Sequence, residues 1–121
     1  MATQMKIETT VNIVDSLTPS TAIKILSNVD TINCASREYG LQNMPANTLN
    51  VQVANNVQYI NIISPLNINI EVKEHSTGNS IATFTSKNFT YQNKDTSIDV
   101  TISNTNATTI DVEYITATIA D

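Results

Sequence analysis

The sequence predicts an all-β domain spanning residues 1–121, an antiparallel β-sandwich of jelly-roll type with about eight or nine strands and little or no helix. Three observations predict it. Apolar and polar residues alternate in several short runs, as in Leu49, Val51, Val53 and again in Leu66, Ile68, Ile70, Val72; a period of two marks a strand with one face buried and one in water. Ile and Val make up roughly a fifth of the chain, well above a disordered composition. Polar clusters of Asn, Thr and Ser separate the runs at sandwich spacing.

Taken in order, residues 5–14 form a first strand with Ile7, Thr9, Val11 and Ile13 on one face. Because they lie at the N-terminus, residues 1–14 are expected as an edge strand or arm. Residues 17–20 make a turn, and residues 22–26 a second strand with Ile23 and Ile25 inward. A short helix capped at Ser20 competes, but the segment is short and β-branched, which favours the strand. Residues 28–32 extend it past a bulge. Residues 34–45 show no period, hold Gly40 and Pro45, and read as the longest irregular connection.

Residues 48–73 organise the rest as a β-meander. Asn tolerates positive φ, so Asn55-Asn56 suits a two-residue primed hairpin turn. That turn would set Ala54 opposite Val57, Val53 opposite Gln58, Val51 opposite Ile60 and Leu49 opposite Ile62. Leu49, Val51, Ile60 and Ile62 then share the buried face, with Asn50, Gln52, Tyr59 and Asn61 on the other. Ser64-Pro65 breaks the ladder, because Pro has no N–H, and residues 66–72 begin a third strand. Residues 74–79 form a polar turn, followed by short strands at 81–85 and 89–91 and a loop at 91–96. Residues 97–103 point Ile98, Val100 and Ile102 inward. The chain turns at residues 104–107 and returns over 109–119 with Ile110, Val112 and Tyr114 on the matching face. Ile115, Ala117 and Ile119 fall on the opposite face, so the last strand either crosses between sheets or buries both sides. The expected core is Val51, Ile60, Ile68, Ile70, Val100, Ile102 and Val112.

The charge balance narrows the function. The chain has 14% charged residues and a net charge of −5, and its six Lys and Arg are scattered. No basic stripe can form for a phosphate backbone, so nucleic acid and anionic membrane surfaces are not expected partners. No apolar run approaches a membrane span, and residues 1–8 have no apolar signal-peptide core. A single Cys34 excludes an intramolecular disulfide. Asn, Thr and Ser supply a neutral, hydrogen-bonding surface that suits contact with other protein. With only two Gly, Asn must carry most turns.

No catalytic motif emerges. His75 is the only histidine, with Glu71 and Glu74 nearby; a metal needs three or four ligands in geometry, so a solvated turn is the favoured reading. Cys34 with His75 could pair nucleophile and base, but a lone Cys beside Ile32 reads as a small core residue. No phosphate loop, Gly-x-Ser-x-Gly or His-Glu-x-x-His occurs. The expectation is no enzyme activity, cofactor, metal or small-molecule substrate. Asn88-Phe-Thr90 and Asn106-Ala-Thr108 match the glycosylation pattern, as a chain rich in Asn and Thr does by chance. The candidate contact residues are Arg37, Glu38, Tyr39 and Met44, in the long connection and of types common at interfaces.

Residues 56–72, then Ser97-Ile-Asp-Val-Thr-Ile-Ser-Asn104 and Thr109-Ile-Asp-Val-Glu-Tyr-Ile115, together resemble small β-sandwich virion structural proteins of tailed bacteriophages. In that group a strand reads roughly Val-x-Tyr-x-x-Ile-x-Ser, as residues 57–64 do here. A later pair reads Thr-Ile-Ser-Asn, a turn, and x-Val-x-Tyr-Ile. Residues 1–46 match no such pattern. The resemblance implies a non-enzymatic auxiliary or decoration protein of the capsid, or a head–tail part. It would be made in the host cytoplasm, located in the virion, and bound to other virion proteins such as the major capsid protein, alone or as a homo-oligomer. The rival reading is a carbohydrate-binding β-sandwich, with Tyr39, Tyr59, Tyr91 and Tyr114 as candidate stacking rings.

Overall fold

The computed structural model describes residues 3–14 and 22–120, with side chains for residues 4–10 and 27–120. The strands are β1 (Thr3–Val14), β2 (Ala22–Met44), β3 (Thr48–Val57), β4 (Tyr59–Glu74), β5 (Ser80–Gln92), β6 (Ile98–Asn104) and β7 (Ile110–Ile119), with no helix among the described residues. Every pairing is antiparallel, in the order β1-β2-β7-β4-β6-β3, with β5 on the other edge of β4. The turn expected at residues 17–20 and the facing of Val11, Ile13, Ile23 and Ile25 lie outside the described residues and side chains.

β4 folds this sheet on itself. Residues 59–63 pair with β7, whereas residues 69–74 pair with β6. β5 follows β4 through the same bend, with residues 88–92 beside the first half and 80–86 beside the second. One layer is therefore residues 34–44 of β2, β7, the start of β4 and the end of β5, with β1 and the rest of β2 running on from its edge; the other is β3, β6, the end of β4 and the start of β5. Pro65 lacks an N–H, so the ladder loosens there, and the register moves from Ile63 opposite Asn88 to Ile68 opposite Ser86. Serine hydroxyls take up the backbone groups the bend releases. Ser64 Oγ donates to the Leu66 carbonyl at 2.6 Å and accepts from the Leu66 N–H at 3.3 Å. Ser86 Oγ does the same with Asn88, at 2.6 and 3.2 Å.

The inner faces of the two layers form one core. Met44, Ile60, Ile62, Ile68, Ile70, Ile98, Val100, Ile102 and Val112 are fully buried within it. Each buried Ile contributes about 1.5–3 kcal/mol. The expected core residues are there, except that Val51 is only half-buried.

The β-sandwich stands, but its path differs from the meander expected around Asn55-Asn56. β3 pairs with β6, not β4. Asn56 does take a positive φ of 59°, as does Asn50 at 58°, but both are irregularities within β3 rather than hairpin turns. They shift the phase of the strand, so Leu49 is 59% exposed while Val53 and Ala54 are both buried. The Asn56 N–H donates to the Asp99 carboxylate at 2.8 Å, which holds the chain on β6. The chain then crosses to the other layer at Gln58. The Gln58 N–H donates to the Ala117 carbonyl at 3.0 Å, and its side-chain oxygen accepts from the Ile119 N–H at 2.7 Å.

Residues 34–45 are not a loop: β2 runs through them to Met44 against β7. No period shows because this strand carries its apolar residues outward. Tyr39 and Leu41 are 62% and 58% exposed. Inward-facing Gly40 lies opposite Tyr114, whose ring occupies the space a Cβ would need. Among the described residues the count is seven strands rather than eight or nine, because segments 57–63 and 66–72 are one bent strand and 81–85 and 89–91 are another. The last strand stays in its layer and buries both faces near its end, where Thr116 and Ala117 are both buried.

Asn104, fully buried, closes one end of the sandwich. Its side-chain amide donates to the carbonyls of Met44, Pro45 and Thr108 at 3.0, 3.2 and 3.0 Å, and its oxygen accepts from the Asn106 N–H at 3.0 Å. The Asn106 amide in turn donates to the Asn67 carbonyl at 2.8 Å, so the side chain in that glycosylation pattern is engaged in the fold.

Gly40→Ala is expected to cost about 1–3 kcal/mol by overpacking against the Tyr114 ring. Urea unfolding checks this, and an unchanged midpoint would mean that the ring moves aside freely.

Candidate functional site

A second, smaller core lies on the outer face of the layer that holds β7 and residues 34–44 of β2. β2 leaves β7 at a register shift beside Cys34, and residues 22–34 continue as a ribbon with β1 alone. Tyr59 and Ala117 are directly paired on the layer, and Ile32 and Cys34 of the ribbon are buried with them, with Met5, Ile7 and Ile119 packed alongside. The ribbon therefore folds back over the layer rather than projecting from it. Two hydrogen bonds tie it down: Gln92 Nε2 donates to the Asp30 carboxylate at 3.2 Å, and the Ala120 N–H to the Asn33 carbonyl at 2.8 Å. Tyr59, expected on a polar face, is thus only 5% exposed.

Between the ribbon and the layer runs an open groove of about 590 Å³. One wall is residues 4–9 of β1; the other carries Arg37, Glu38, Tyr39, Tyr59, Asn61, Thr90 and Ile115. The register builds that second wall. Tyr39 lies opposite Ile115, Ile115 opposite Asn61, and Asn61 opposite Thr90, one residue from each of four adjacent strands. Asn61 Nδ2 donates to Thr90 Oγ1 at 2.7 Å. The next row is Leu41, Glu113, Ile63, in which Leu41 and Ile63 are each 58% exposed. Tyr39, Leu41, Ile63 and Ile115 therefore form an exposed apolar patch continuous with the groove.

Glu113, within this patch, orients Tyr39 by accepting its hydroxyl at 3.2 Å. Partial desolvation, and then this hydrogen bond and the carboxylate's charge, hold the Tyr39 phenol above its ordinary value. Burial does the same for Tyr59. Both rings are neutral phenols near pH 7, and the Tyr39 proton is the one donated to Glu113.

Of the candidate contact residues, Arg37, Glu38 and Tyr39 lie exposed in the groove wall. Met44 does not: it is fully buried in the main core and its carbonyl accepts the Asn104 side chain, so it has no surface to offer. Cys34 is buried in the small core, and its thiol points to the Ile32 carbonyl at 3.9 Å. His75 lies just past the end of β4, its Nδ1 2.8 Å from the Asp99 carboxylate. Tyr91 and Tyr114 pack against the main core, leaving Tyr39 and Tyr59 at the groove. Sequence reasoning missed Leu41, Ile63 and Ile115. A signal existed for two of them: Ile62-Ile63 and Tyr114-Ile115 are doubled apolar pairs in otherwise alternating strands, so one member of each had to face out. Among the described residues no group of three or more His, Cys, Asp or Glu could hold a metal ion.

No protein-family model matches the chain, and no curated protein matches it in sequence. Among solved structures it is similar to the cupin domain of Schizosaccharomyces pombe Cnp3, with 15% identity and a TM-score of 0.50 over 93% of this chain and 83% of that one. At this identity the likeness is one of fold, and it agrees with a jelly-roll-like sandwich.

Tyr59→Ala is expected to cost about 3–5 kcal/mol, as for large aromatic truncations. The loss should be local first. Amides of residues 28–34 should exchange faster than those of β6, and a ribbon that stays as protected as before would show that it is held elsewhere.

Proposed function

We propose that this chain is a non-enzymatic structural protein of a phage particle, an auxiliary or decoration protein that acts by contact with other virion proteins, the major capsid protein foremost. The observation that carries this reading is the exposed patch of Tyr39, Leu41, Ile63 and Ile115. The sandwich interior is filled with aliphatic side chains, so the apolar surface on offer is on the outside, where large contiguous patches mark interaction sites. The strand residues that resemble tailed-phage virion proteins point the same way. A carbohydrate-binding role has one observation in its favour, that Tyr39 and Tyr59 line one groove with Asn61 and Arg37.

Mass spectrometry of purified particles is expected to find the chain at a fixed ratio to the major capsid protein. Leu41→Glu with Ile63→Glu should reduce its occupancy on particles about tenfold or more, because a charge would be buried at the contact, with little change in melting temperature. Absence from particles, together with binding of neutral oligosaccharides in calorimetry, would replace this reading with the carbohydrate one.

A further inference from the structure

We propose that the groove beside β1 binds an extended, uncharged segment of another protein by adding it as a strand to the free edge of β1. The proposal deepens the reading of this face as a contact surface and rests on it in taking the partner to be protein.

The edge comes first. Among the described residues β1 pairs only with β2, and it stands at the end of the strand order. Its other edge is a row of backbone N–H and C=O groups without strand partners. A row of that kind is a template for one more strand. The groove runs along this edge, because all six consecutive residues from 4 to 9 line it. Side chains of one face alone would contribute every second residue. Six residues of strand span about 20 Å, enough to register a short extended peptide.

The opposite wall selects the side chains. An added strand turns alternate residues toward the layer, where Tyr39 and Ile115 await, and the others toward water. The charges lining the groove cancel, Lys6 and Arg37 against Glu8 and Glu38, and the neighbouring Glu113 carboxylate is engaged by the Tyr39 hydroxyl, so a charged segment gains little net attraction. The occupant is thus a neutral segment with apolar residues at every second position. A sugar is less well served. Tyr59 is 5% exposed beneath the ribbon, which leaves Tyr39 as the one ring available for stacking, and a sugar would leave the strand edge unused.

The test selects binders from a displayed library of random peptides, with the full chain as bait, and maps them by amide exchange. Selected peptides are expected to alternate apolar and uncharged polar residues and to slow exchange at residues 4–9. Ile115→Arg should weaken them at least about tenfold, whereas Leu49→Arg, at an exposed position on β3, should leave binding and melting unchanged. Peptides that protect other amides, binding that survives Ile115→Arg, or a library that yields no binder would overturn the proposal. So would a free chain that is already dimeric with residues 4–9 protected, since the occupant would then be a second copy. If the chain is found in particles while the groove fails this test, the contact role survives and the groove assignment falls.

Discussion

The fold depends on one bend. A straight hairpin of β4 and β5 would leave an open sheet with an apolar face in water. Bending it at Ser64-Pro65 and Ser86 turns that face on itself, so Ile60 and Ile62 meet the core from one layer and Ile68, Ile70 and Val72 from the other. A bend in mid-strand exposes backbone groups that the ladder would otherwise satisfy, and an unpaired buried group costs about 1–3 kcal/mol. Two serines, one on each strand, make the same pair of hydrogen bonds two residues along. The alternation survives the bend, since residues 60, 62, 68, 70 and 72 are buried on the same parity.

That continuity explains what the sequence could disclose. Alternation at residues 66–72, 97–103 and 110–112 was legible because each run buries one face only, and these runs supply most of the core. Pro65 was legible as an interruption but not as a bend, because its missing N–H says nothing about whether the chain turns back or continues. Asn56 was legible as a positive-φ position, yet a hairpin and a bulge both accept it. The choice is made by Asp99, distant in sequence, whose carboxylate takes the Asn56 N–H. β2 was illegible for a physical reason. Its strand puts Gly40 inward under an aromatic ring and Tyr39 and Leu41 outward, the reverse of the pattern a half-buried strand is expected to show.

Asparagine does much of the work that glycine does in other β-proteins. Asn47, Asn50 and Asn56 all take left-handed backbone conformations, joined by Gly78. Asn104 goes further and holds three carbonyls with one buried amide. Among the described residues no buried side-chain nitrogen or oxygen lacks a hydrogen-bond partner. The site shows the same division of labour. Tyr39 could be singled out by residue type, but the groove beside it exists only because the ribbon of β1 and β2 folds back onto Tyr59, a contact between segments far apart in the chain.

The bent hairpin makes the two layers one cooperative unit. Amide exchange in the wild type and in Ser64→Ala tests it most directly. Ile62 in one layer and Ile70 in the other are expected to open with the same free energy, and the substitution is expected to lower both equally. If Ile70 kept its protection while Ile62 lost it, the layers would be stable separately and the bend would not be what holds them together.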